Sequence, residues 1–122
     1  MSVRRVPKPW GEEIIFAHTE RYAGKILRIL PGEALSLQYH ERKDESLYLY
    51  QGTLRLLVQA GPDGPATETR LEAGAAVRFP PGTRHRMEAV TECVLFEVST
   101  PELDDVVRLE DRYGRATKGP DS

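Results

Sequence analysis

A single cysteine, Cys93, excludes an internal disulfide and any cysteine-rich metal site, and standing alone it reads as a small buried hydrophobe. No stretch approaches the roughly 20 apolar residues that a membrane span needs, so a bilayer is not an expected partner. Neither sign of charge dominates: 17 Lys plus Arg stand against 19 Asp plus Glu, mixed along the chain. That balance argues against nucleic acid or an anionic membrane surface. The first ten residues carry basic side chains but no apolar run behind them. They do not read as a secretory leader, and a cytoplasmic address is expected. Histidine is scarce, with His18, His40 and His85 the only three.

Glycine and proline are plentiful, ten and nine in 122 residues, or about 16% against a typical ~12%. Between these turn-formers the apolar residues come in short runs at 14–16, 26–30, 47–50, 54–58, 75–79 and 93–98, most of them rich in β-branched or aromatic side chains. Such runs predict strands, and their density predicts an all-β jelly-roll barrel. Residues 60–66 read as a hairpin connection between the two halves of the barrel. After Pro101 an acidic start followed by basic positions predicts a short helical turn. A single domain is expected over residues 1–115, with 116–122 as a disordered tail.

The histidines carry the chemistry. Gln38 and His40 stand two apart, so on a strand they share a face, together with Ser36. Glu45 opens the next strand, and His85 enters from the second half, just after the turn at 80–84. If these segments converge, two imidazoles, a carboxylate and an amide oxygen meet, a donor set for divalent zinc, iron, manganese or nickel. Spacing alone leaves open that His40 and His85 are satisfied core groups or surface groups.

The run Gly32-x5-Gln38-x-His40-x4-Glu45-x6-Gly52 resembles the first cupin motif, with Gln in place of the usual first His. Gly74-x5-Pro80-x-Gly82-x2-His85 resembles the second, with Ala89 where that motif ends in Asn. Lys8-Pro9-Trp10-Gly11, the stretch 35–40 and the tail 104–115 are similar to the C-terminal cupin domain of type II mannose-6-phosphate isomerases, which is usually fused to a mannose-1-phosphate guanylyltransferase. The resemblance implies a double-stranded β-helix of six to eight strands with a metal at Gln38, His40, Glu45 and His85. It also implies a metal-dependent aldose–ketose isomerase interconverting mannose 6-phosphate and fructose 6-phosphate. Two positions depart from the isomerase pattern: Lys43 stands for an Arg and Leu47 for a Trp. These departures favour the alternative, a non-catalytic metal-containing cupin that binds a small sugar or carboxylate.

Candidate phosphate cations are Lys8, Lys25, Arg28, Lys43, Arg78, Arg84, Arg86, Arg108, Arg112 and Arg115. Lys43 and Arg84 lead, each within two residues of a candidate ligand. Glu97 is a candidate general base, although inward-facing Phe96 and Val98 would turn it outward unless a bulge intervenes. Trp10 reads as a plug at one barrel end, His18 as a surface residue, and the run 104–108 as a helix cap or a lid. Tyr48 and Tyr50 share the face opposite Glu45, Leu47 and Leu49, which suits packing or a homodimer interface.

Overall fold

Between its turns the chain alternates apolar and polar residues with a period of two, which sends one set of side chains to each face of an extended strand. The computed structural model describes residues 2–115, in which the alternation produces eleven strands. They are β1 Arg4–Lys8, β2 Gly11–His18, β3 Ala23–Ile29, β4 Leu37–Tyr39, β5 Glu45–Gln51, β6 Thr53–Gln59, β7 Ala66–Glu72, β8 Ala76–Phe79, β9 Arg84–Ala89, β10 Cys93–Ser99 and β11 Val107–Glu110. The strands from β3 to β10 form two four-stranded halves, ordered β3-β10-β5-β8 and β4-β9-β6-β7, as in a jelly roll. β1 and β2 extend the first half at the β3 edge, and β11 extends the second at the β4 edge.

The inward faces of the two sheets supply the core. Leu27, Ile29, Leu47, Leu49, Leu54, Leu56, Phe79, Met87 and Leu95 pack there, with Trp10 sealed among them. The hairpin between β5 and β6 turns on Gly52, whose φ of 99° and whose 2.2 Å clearance between a built Cβ and the Glu92 carbonyl exclude any side chain. β7 sits at a sheet edge and is solvated on almost all of its length, with Glu68, Arg70 and Glu72 exposed, which guards the edge against pairing with another chain. The segment 60–66 forms the β6–β7 hairpin connection, closing at Gln59↔Ala66, but it joins neighbours within one sheet rather than the two halves of the barrel.

The helical turn expected after Pro101 does not form, and no helix occurs among the described residues. Val107 pairs with Tyr39 and Arg108 with Gln38, so this segment is a strand that covers the open edge of β4. The acidic start does cap backbone amides, but those of residues 41–43 rather than a helix beginning of its own. The tail expected at 116–122 lies outside the described residues.

Candidate metal centre

β4 ends one residue before His40, a short turn follows, and β5 begins at Glu45. Between them the Asp105 carboxylate accepts backbone N–H bonds from Glu41 at 3.1 Å, Arg42 at 2.7 Å and Lys43 at 2.9 Å. Burial pushes the Asp105 carboxyl up, but these three donors outweigh it and hold its pKa below the usual range. From the other half of the barrel, His85 faces inward on β9, directly opposite Gln38 on β4. The turn that precedes it is tied to the first segment, because the Gly82 N–H donates to the His40 carbonyl at 2.8 Å.

His40, Glu45 and His85 are all buried, and their ligand atoms lie within 4.8 Å of one another. The two imidazoles are 5.5 Å apart, and Phe79 stacks on His85 at 3.9 Å. His40 Nδ1 bonds to the Asp105 carbonyl and His85 Nδ1 to the Thr83 carbonyl at 3.0 Å. A carbonyl can only accept, so each Nδ1 carries a proton, and each Nε2 is turned inward. The Nε2 of His40 lies 2.7 Å from Glu45 Oε2, and His85 Nε2 has no hydrogen-bond partner among the described residues. Burial drives the His85 pKa down to about 4, which keeps that ring neutral at ordinary pH. For Glu45, burial pushes upward, but the His40 ring and the Lys43 charge prevail and hold the carboxyl well below the usual range. Two imidazole nitrogens and a carboxylate oxygen, buried and within 4.8 Å of one another, are a donor set that fits a divalent cation. Gln38 stands on the same cavity wall, with its Oε1 accepting from Ser36 Oγ at 2.6 Å.

The site opens on a cavity of about 380 Å³, within the size range of small-molecule pockets. Lys43 is buried on its wall, with its ammonium 3.0 Å from Glu97 and 3.5 Å from Glu45. Those two carboxylates raise its pKa against the opposing effect of burial. Glu97 corrects the expectation that it faces out. Only 3% of it is exposed, while Phe96 and Val98 lie on the outer face. Cys93, Leu95 and Glu97 form the inward phase of β10. Burial and the Glu45 charge push the Glu97 carboxyl up, with Lys43 and Lys25 pulling the other way. Arg84 corrects a second expectation: one position from inward His85, it projects from the opposite face and lies over the Tyr39 ring at 4.6 Å, away from the cavity. Trp10 lines the cavity as well as the core. Leu47 is buried in the core and contributes nothing to the cavity wall. His18 is exposed, with its Nε2 3.0 Å from the Pro101 carbonyl.

Fold and site together define a jelly-roll barrel with a candidate metal centre between its two sheets. The chain belongs to the cupin domain family, whose characteristic sequence matches residues 25–99. It is 36% identical over 118 residues to the mannose-1-phosphate guanylyltransferase ManC of Salmonella typhimurium, covering 92% of this chain and 23% of that protein. The chain thus spans about a quarter of the length of the curated relatives it matches. Among solved structures, the capsular polysaccharide assembling protein CapF from Staphylococcus aureus superposes with a TM-score of 0.79 at 19% identity, over 91% of this chain and 32% of that one. KdgF from Halomonas sp. superposes with a TM-score of 0.69 at 22% identity, over 83% and 86%. These likenesses establish the fold. No helix among the described residues is long and apolar enough to cross a membrane.

Proposed function

We propose that the protein is a metal-dependent aldose–ketose isomerase acting on a sugar phosphate in the cytoplasm, with mannose 6-phosphate and fructose 6-phosphate as the first pair to test. The observation that carries this reading is the buried cluster of His40, Glu45 and His85 beside a sugar-sized cavity, which His40 and Glu45 line together with a further carboxylate and an ammonium, Glu97 and Lys43. Similarity to mannose-1-phosphate guanylyltransferases supports a mannose phosphate as ligand. His40, Glu45 and His85, with Gln38 beside them, would hold zinc, or else iron, manganese or nickel. Such an ion, when bound, supplies Lewis acidity that acidifies the carbon-bound proton between a sugar carbonyl and its neighbouring hydroxyl.

The remaining steps belong to the chain. Glu97 takes the proton from C2 as that C–H bond breaks, and returns it to C1 as the new one forms; the C2 hydroxyl proton passes to the former carbonyl oxygen. Lys43 stays charged beside Glu97 and stabilises negative charge that develops on the two sugar oxygens. Trp10 and Leu27 on the cavity wall offer apolar surface to the sugar and limit the entry of water.

The test is conversion of mannose 6-phosphate by metal-loaded protein, run in heavy water and repeated with a chelator. Fructose 6-phosphate formed by the loaded protein and lost on chelation supports the reading, with deuterium at C1 to the extent that the proton held on Glu97 exchanges with solvent before its return. No conversion of mannose, glucose or fructose phosphates by fully loaded protein overturns it. A second reading, a non-catalytic metal-containing cupin that binds a sugar or carboxylate, is favoured by Leu47 lying in the core where the isomerase pattern has a Trp. It gives a metal-dependent thermal shift with such ligands and no turnover.

A further inference from the structure

The cavity has two ends. At one, both ammonium groups are paired: Lys43 lies between Glu45 and Glu97, and Lys25 lies 3.3 Å from Glu13. At the other, where β1 and β11 meet the cavity, the balance is different. Arg108 on β11 lines the cavity, yet its Nε and Nη1 are buried with no hydrogen-bond partner among the described residues. A buried guanidinium donor left unmatched is costly, which makes this an arrangement that waits for an acceptor. The carboxylates near it are already taken. Asp111 accepts two side-chain bonds from Arg115, each at 3.0 Å, and a backbone bond at 2.7 Å, and Glu13 serves Lys25. Lys8 on β1 lines the same space and has no ion pair among the described residues. Burial lowers the pKa of both Lys8 and Arg108, and neighbouring cations add to it, while Glu13 pulls both the other way and Asp111 does so for Arg108; the net direction is downward for each. Exposed Arg4 lines the cavity as well, as do Glu13 and Asp104.

We infer that Arg108 and Lys8 form an oxyanion site at the cavity end formed by β1 and β11, and that it takes the phosphate group of a phosphate monoester. The proposal deepens the isomerase reading and, for the identity of its ligand, rests on it. Arg108 supplies a planar fork of donors and Lys8 a compact charge, the pairing that suits a doubly charged tetrahedral oxyanion. The phosphate then sits away from His40, Glu45 and His85, with the reacting carbons of the sugar turned toward them. Neither Lys43, held by two carboxylates, nor Arg84, on the outer face, is the phosphate receiver. The run 104–115, which has no chemistry of its own in the sequence, gains a role: it brings Arg108 to the cavity and commits the hydrogen bonds of Asp111 to Arg115 rather than to Arg108.

The experiment is calorimetric titration of the protein, as purified, with mannose 6-phosphate, mannose and inorganic phosphate. Mannose 6-phosphate is expected to bind at least tenfold tighter than mannose. Arg108→Gln should weaken mannose 6-phosphate and inorganic phosphate about tenfold or more, the loss that goes with one charged hydrogen bond, and Lys8→Met should weaken them severalfold. Metal content should stay unchanged in both variants, and Arg84→Gln should bind like the parent. Equal affinity for mannose and its phosphate, or unchanged phosphate affinity in a folded Arg108→Gln protein, overturns the site. Should Arg108→Gln fail to fold, Lys8→Met and Arg108→Lys decide, and parental affinity in both overturns it. If phosphate binding depends on Arg108 while no sugar phosphate is converted, the anion site stands and the isomerase reading falls. If conversion occurs with an unchanged KM in both variants, the isomerase stands and the site falls.

Discussion

Removing the Asp105 side chain should loosen the metal centre without touching a ligand. Its carboxylate holds three consecutive backbone amides, those of Glu41, Arg42 and Lys43, and its own carbonyl holds His40 Nδ1. Hydrogen bonds to a charged group are worth ~1.5–3 kcal/mol each. Glu41 and Arg42 are exposed, so in Asp105→Ala their amides regain water and return most of that loss; the Lys43 amide belongs to a buried residue and does not. A net cost of about 2–3 kcal/mol follows, which for a domain of this size lowers the melting temperature by about 10 °C. The freed turn also releases the spacing between His40 and Glu45, and loss of such a supporting partner weakens metal binding by about 10–100-fold. Asp105→Asn keeps one acceptor oxygen and should fall between parent and Ala variant.

The pH dependence has a definite sign. The folded pKa of Asp105 lies below its unfolded value of about 3.9, so its contribution is complete above that value and is lost as pH falls through the folded one. The difference in melting temperature between parent and Asp105→Ala should therefore be level from about pH 8 to 5 and close below about pH 4. Scanning calorimetry and competition with a chromogenic chelator measure both effects. An Asp105→Ala protein with parental melting temperature and metal affinity, or a gap that persists undiminished to pH 3, would refute the reasoning.

Elemental analysis of protein purified without chelator should find close to one divalent ion per chain, and His40→Ala should lose most of it; no metal and no thermal shift on adding zinc, manganese, iron or nickel would remove the centre. Lys43→Met leaves Glu45 and Glu97 buried without their shared counterion, a loss of about 3–5 kcal/mol, and calorimetry showing a shift of less than a few degrees would deny Lys43 that role. We propose a homodimer formed through the outer face of β5 and β10, where Tyr48, Tyr50, Phe96 and Val98 are exposed side by side and Phe96 lies 5.1 Å from Tyr50. Light scattering at micromolar concentration should return twice the chain mass for the parent and the single mass for Phe96→Lys; a monomeric parent refutes it.

Strands with one clear apolar phase were readable from the chain itself. β3, β5 and β6 follow their hydrophobic runs, and Tyr48 and Tyr50 lie on the face opposite Leu47 and Leu49 as alternation requires. β10 was ambiguous because both of its phases are apolar: Cys93 and Leu95 on one side, Val94, Phe96 and Val98 on the other. Only the partner strands decide which phase faces the core, and their choice places Glu97 inside. β7 carries almost no apolar signal because a solvated edge strand needs none. β11 has a charge pattern that suits a helix and becomes a strand because β4 offers it unpaired backbone. The convergence of His40, Glu45 and His85 was implied by the motif resemblance, since spacing alone left it open, whereas Arg84 was misjudged by proximity in sequence, since the residue next to an inward ligand on a strand points away. Asp105 acts on the turn at 41–43 from more than 60 residues away, and no local pattern announces such a contact.

The three candidate ligands belong to both sheets: Glu45 begins a strand of one, while His40 and His85 are held by the other. An ion bound there would be a rivet through the sandwich. His40 and His85 are separated by 45 positions in the chain, and closing a loop of that length in an unfolded polymer removes entropy equivalent to about 4 kcal/mol on the chain-entropy view of cross-links. A chain whose lone thiol can form no internal bridge would thereby acquire a removable one, set by metal supply rather than by oxidation.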